Sequence, residues 1–196
     1  MNIPESVTFE EAIALTQSLM SQMETGELSP QESADAIAQL VNSENGARGF
    51  FVTYLTSEGT VADTPSPEVI QALQSSPDIV AGLLVKNLAM SAAQAVAHRR
   101  NGDEHNAQGS DRVRSRTSRL IERVELPQAR ENALALRESA VTGAGVYKTF
   151  LHTWGYDAEQ RQIICQALDR IIPDVEPPPN PEPSPLTPDM ETPDHD

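Results

Sequence analysis

Four arginines, Arg112, Arg116, Arg119 and Arg123, recur at i, i+4, i+7 and i+11, the spacing that places them on one face of a helix. A guanidinium donates through a planar fork that fits a carboxylate or phosphate two bonds at a time. Arg99 and Arg100 lie just upstream, at the end of the preceding predicted helix, where cations also suit the negative helix terminus. The chemistry open to such a set is recognition of an anion. Arg99, Arg100, Arg112, Arg116, Arg119 and Arg123 therefore read as a contact surface for an acidic or phosphorylated partner, another protein in the first instance. The competing reading is that these arginines pair with carboxylates of the same chain or face water, as charge runs generally do. Nucleic acid is disfavoured, because the interleaved aromatics that stack on single strands are missing and the net charge is −15.

A second constellation is neutral. Asn87, Ser91, Gln94 and His98 also fall at i, i+4, i+7 and i+11, inside a segment that is otherwise almost wholly apolar or alanine from Ile79 to Val96. Such a stripe suits a pocket for a small molecule, with His98 as the titratable member. An exposed helix edge or a hydrogen-bonded seam is the alternative. The two functions differ accordingly: an adaptor or regulatory protein without catalysis on the arginine face, or a small-molecule binder or enzyme on the polar stripe.

Other chemistry is sparsely represented. His98, Asp103, Glu104 and His105 have metal-binding atom types, but their spacing across a glycine-containing stretch matches no metal motif. Glu24–Glu32 imitates the end of a calcium loop, yet Ser21, Met23 and Thr25 stand where its first ligands belong. Cys165, with His152 as a notional base, sits beside Ile164 and Leu168 on an apolar helix and reads as an inert buried thiol. There is no phosphate-cradling glycine loop, nucleophile elbow or paired catalytic carboxylate set. No cofactor or metal is expected, and the balance leans away from an enzyme.

These side chains need helices to hold them. The predicted fold is all-α, seven or eight helices around a central apolar helix at 77–98, forming one domain over residues 1–173. Ser76 is the expected N-cap of that central helix and Pro77 its first residue. Apolarity nearly all round marks a helix packed on by others. Lys86 and Asn87 at its middle argue against a membrane span, since a lysine at the bilayer centre costs about 2.5–3.5 kcal/mol. Thr8 with Glu11, Ser29 with Glu32 and Asp157 with Gln160 are capping boxes that open further helices. Residues 101–109 read as a loop, with Ser110 capping the arginine-bearing helix.

Phe50–Leu55 has the composition of a strand, but Ala47, Phe50, Phe51, Tyr54 and Leu55 follow the helical template. Gly26, Leu28, Ser29, Glu32, Ile37, Phe50, Phe51 and Leu55 together resemble the small helical domain that opens anthranilate phosphoribosyltransferases. That resemblance implies helix at 46–56. It implies no activity, because the glycine-rich phosphoribosyl-binding motif of that family is absent.

Charge is unevenly distributed. Residues 1–98 hold only two basic groups, Arg48 and Lys86, against twelve acids, whereas residues 99–130 hold eight arginines against five acids. Residues 173–196 contain nine prolines, seven acids and no lysine, arginine or aromatic, the composition of a disordered acidic tail. The one cysteine permits no intrachain disulfide, and the N-terminus shows no secretion signal, so a cytoplasmic protein is expected.

Overall fold

The computed structural model of the chain describes residues 3, 4 and 6–172. The tail predicted at 174–196 lies outside the described residues. The fold is all-α. Among the described residues there are nine helices: α1 (Phe9–Thr25), α2 (Pro30–Val41), α3 (Glu44–Thr56), α4 (Pro67–Gln74), α5 (Pro77–Arg100), α6 (Glu104–Val124), α7 (Pro127–Thr142), α8 (Lys148–Thr153) and α9 (Ala158–Asp169). No strand occurs among the described residues, and 46–56 falls in α3.

Helix starts follow side-chain chemistry. Thr8 and Glu11, Ser29 and Glu32, and Asp157 and Gln160 each exchange the two reciprocal bonds of a capping box. Prolines at the first turns of α2, α4, α5 and α7 occupy positions that need no N–H. Two expectations need correction. Ser76 stands at the N-cap of α5 as expected, but its side chain makes no capping bond. The loop predicted at 101–109 is only a short turn, in which Gly102 takes φ 71°, and α6 starts at Glu104. Asp103, not Ser110, is the cap, accepting from Asn106 N at 3.1 Å. The polar composition of the next residues then suits the solvent-facing first turns of a helix.

α5 is the centre of the bundle, touching α3, α4, α6, α7 and α9. Val80, Ala81, Leu84, Val85, Leu88, Ala89, Ala92 and Ala93 are buried along it. α5 is the one described helix long and apolar enough to cross a membrane, and 56% of its most apolar stretch is buried against neighbouring helices. Its alanines keep the neighbours close. Small residues do the same between α1 and α3, where a Cβ on Gly49 would lie 2.4 Å from the Ala12 Cβ. Phe50 stacks on Tyr54 at 5.1 Å and meets Phe51 edge-on, anchoring α3 in the core.

Candidate functional site: an arginine clamp and an open groove on α5

The four-arginine face of α6 turns toward the 57–66 loop between α3 and α4. Arg116 is 2% exposed and sits at the centre. Its Nε donates to Asp63 Oδ1 at 2.7 Å, one terminal nitrogen to the carbonyls of Leu55 (3.0 Å) and Ser57 (2.7 Å), and the other to Gly59 O (2.8 Å) and Asp63 Oδ2 (3.2 Å). Every N–H of the fork thus has an acceptor, which is the condition for burying a charge. One turn to either side, Arg112 grips Glu58 at 2.8 and 3.2 Å, and Arg119 donates to the Asp63 carbonyl. Arg123 donates to the Pro65 carbonyl. Tyr54 adds a bond from its hydroxyl to Val61 O. The Asp63 carboxyl is held below the usual carboxylate range, first by its hydrogen bonds from Arg116.

Arg99 and Arg100 are likewise engaged within the chain. Arg99 pairs with Glu104 and Asp111. Arg100 bridges Asp157 and Glu159 at the start of α9, and the Asp157 carboxyl is pushed down to about 2, first by Arg100 and then by the Gln160 N–H. All six arginines of the predicted contact surface therefore have acceptors in the protein itself. This is the internal pairing that their spacing also allowed.

The polar stripe of α5 has a different setting. Asn87, Gln94 and His98 are half-buried along a hollow of about 340 Å³ between α5 and the first turns of α6, with Thr56 of α3 at its edge. Met90 and Val113 give it an apolar lining, and Asn106, Gly109 and Ser110 form the facing wall. Ser91 belongs to the stripe but is buried, and its hydroxyl bonds back to the carbonyls of Asn87 (2.7 Å) and Leu88 (3.1 Å). The amides of Asn87 and Gln94 make no hydrogen bond to another described side chain or carbonyl, so their donors and acceptors remain open to a ligand. His98 Nδ1 lies 3.9 Å from Asp103 Oδ2.

The open side of α5 is wider than the polar stripe. Asn87 and Met90 also border a second hollow of about 280 Å³, flanked by Arg48 and Val52 of α3, Leu83 and Lys86 of α5, and Trp154 after α8. A third, about 260 Å³, continues past Gly82 to Ile79. The all-round apolarity of 77–98 predicted neighbours on every side, but Ile79, Leu83 and Met90 are only partly buried. The signal for their exposure was their 3–4 residue spacing with Lys86 and Gln94.

Of the other candidates, only His98 of the imagined metal set lines this groove. Among the described residues no three His, Cys, Asp or Glu side chains gather around a cation-sized site. Cys165, expected to be buried, is half-buried, and burial pushes its thiol up, the direction that disfavours the thiolate. A further hollow of about 480 Å³ lies on another side of α6, with Arg114, Arg119 and Arg170 balanced by Asp111 and Glu122 over Leu88.

No curated protein and no solved structure matches the chain. A family match covers residues 8–171, from the cap of α1 to just beyond α9. It spans both the arginine clamp and the open groove, and the chain belongs to the family described as Uncharacterised conserved protein UCP020893.

Proposed function

We propose that this protein is a binding module, an adaptor or regulator without catalysis, and that it takes its partner in the groove over α5. The observation that carries the reading is the contrast between the two stripes. Arg116 spends every donor on Asp63 and the carbonyls of 55–59, and Arg112, Arg119 and Arg123 each bond to Glu58 or to the 63–65 backbone, whereas Asn87 and Gln94 offer unpaired amides beside Met90 and Val113 in an open hollow that Arg112 also borders. Apolar lining with a few free polar groups is the usual make-up of a recognition site. His98 faces Asp103 at the end of the groove, but among the described residues no hydroxyl or thiol is hydrogen-bonded to it as a nucleophile, which favours recognition over catalysis.

The test is a comparison of three tagged baits in extract of the source cells: wild type, Gln94→Arg and Arg114→Glu. Among the described residues Arg114 pairs with Asp111 on the same helix and lies with Arg119 and Arg170 at the hollow on another side of α6, so its reversal samples the arginine-rich side outside the clamp. The expected result is one set of proteins held by wild type and Arg114→Glu and lost from Gln94→Arg, with all three melting alike. Loss from Arg114→Glu alone would return the function to the arginine side.

A further inference from the structure

The chain contains two kinds of helical glycine. In α3, Gly46 and Gly49 are required by packing: a Cβ would lie 2.1 Å from Leu40 O at the first and 2.4 Å from the Ala12 Cβ at the second. Gly82 in α5 and Gly109 in α6 are the opposite case. Neither has a positive φ, and a Cβ at either would meet nothing within 4 Å. Glycine inside a helix is unfavourable relative to alanine, and nothing within the fold compensates for it here. Both glycines line the α5 groove, Gly82 near one end and Gly109 near the other. A glycine facing open space lets a second backbone approach closely.

Three further features lie between them. Trp154 and Val52, 47% and 42% exposed, line the groove together with Leu83 and Met90 of α5. Arg48 and Lys86, the only basic residues of the first 98, both border it. Among the described residues neither forms an ion pair: Arg48 lies over the Phe9 ring at 5.1 Å, and Glu44, one turn before it, bridges to neither cation. Glu44 borders both this hollow and the next, and Asp78 adds a second acid at the Gly82 end, so the favourable place for a negative charge is between Arg48 and Lys86, away from Asp78.

We propose that the groove is a docking site for an amphipathic α-helix of a partner protein. That helix would insert large apolar side chains against Leu83, Met90 and Trp154 and seat a carboxylate between Arg48 and Lys86. Its backbone passes close to Gly82 and Gly109. The groove runs from Ile79 to His98, roughly 28 Å at the α-helical rise, which suits a partner helix of about five turns. This inference rests on the reading of the groove as the binding site and adds the class of partner.

The experiment uses a display library of amphipathic helices of about 18 residues, selected against the full chain and against its Arg48→Glu/Lys86→Glu variant. Wild type should select helices with an acidic residue at one edge of the apolar face, and the reversed variant should select a basic residue there. A synthesised winner should shift the emission of Trp154, the only tryptophan. Its affinity should fall by about tenfold or more in Gly82→Leu and in Gly109→Leu, as for removal of a central contact, and stay unchanged in Arg130→Glu. Gly82→Ala and Gly109→Ala serve as folded controls and should raise the melting temperature. If winners bind both leucine variants normally but are lost from Gln94→Lys, the groove stands as the site and the helix proposal is overturned. If none of these substitutions matters, both readings fall. If lauric acid shifts Trp154 emission and no helix does, the occupant is an acyl chain and the proposal is likewise overturned.

Discussion

The guanidinium of Arg116 holds the carboxylate of Asp63 through two bonds, at 2.7 and 3.2 Å, across a separation of 53 residues. The remaining donors of the same side chain close on three carbonyls around the α3 exit. The 57–66 loop is thus organised around a cation supplied by α6. Replacing Arg116 by alanine should destabilise the protein by about 3–5 kcal/mol, because it leaves a charge partner and several carbonyls unmatched. Arg112→Ala, which removes a pair to a mostly exposed Glu58, should cost under about 1 kcal/mol. Urea denaturation of the two variants checks the ranking, and equal small effects would mean that the clamp does not hold the loop.

Acid stability should follow the two anchored carboxylates. Asp63 and Asp157 both have folded-state values below the ordinary carboxylate range, Asp157 at about 2. A depressed folded value contributes stability that is full above the unfolded value, near 4, and is lost as pH falls through the folded one. The melting temperature should therefore decline between about pH 4 and pH 2. Asp63→Asn and Asp157→Asn should each flatten that decline. An unchanged pH profile in both variants would contradict the assignment.

The glycines give a stability test of opposite signs. Gly82→Ala and Gly109→Ala should each stabilise the free protein by about 0.5–1 kcal/mol, since the added methyl meets nothing and the helix gains propensity. Gly49→Ala should destabilise by about 1–3 kcal/mol, because its Cβ has no room against Ala12 and the Phe9 carbonyl. Differential scanning calorimetry of the three variants reads the signs directly. A stabilising Gly49→Ala would show that α1 and α3 are less closely packed than described.

The thiol of Cys165 is pushed up by burial and sits near the Arg137 carbonyl. At pH 8 it should react with a disulfide reagent markedly more slowly than free cysteine, and catch up once the chain is unfolded in urea. Equal rates in the folded and unfolded protein would overturn the inert reading.

Much of this architecture was legible from local chemistry. The capping pairs at Thr8, Ser29 and Asp157, and the prolines at helix starts, act through neighbours three residues away, so sequence spacing alone exposes them. The helical template at 46–56 prevailed over its β-rich composition because Phe50, Phe51 and Tyr54 pack as one cluster on a helix. The arginine spacing on α6 was equally legible, but its destination was not. Asp63, Gly59 and Pro65 lie more than fifty residues away, and only the packing of α6 beside α3 and α4 brings them together. Gly109 read as a loop residue because composition cannot show that Asp103 starts a helix before it. The open side of α5 was hidden for a similar reason: Leu83 and Met90 are as apolar as buried Leu84 and Leu88, and only the missing neighbour distinguishes them.

The central claim is that partners are met in the groove over α5. It is tested most directly by placing a photo-crosslinking amino acid, one at a time, at Gln94, at Leu83 and at Arg130, and irradiating the protein in the cells that make it. The account predicts a discrete adduct of the same mass from Gln94 and Leu83, mapping to one helical segment of one protein, and none from Arg130. Adducts formed at Arg130 and absent from both groove positions would contradict it.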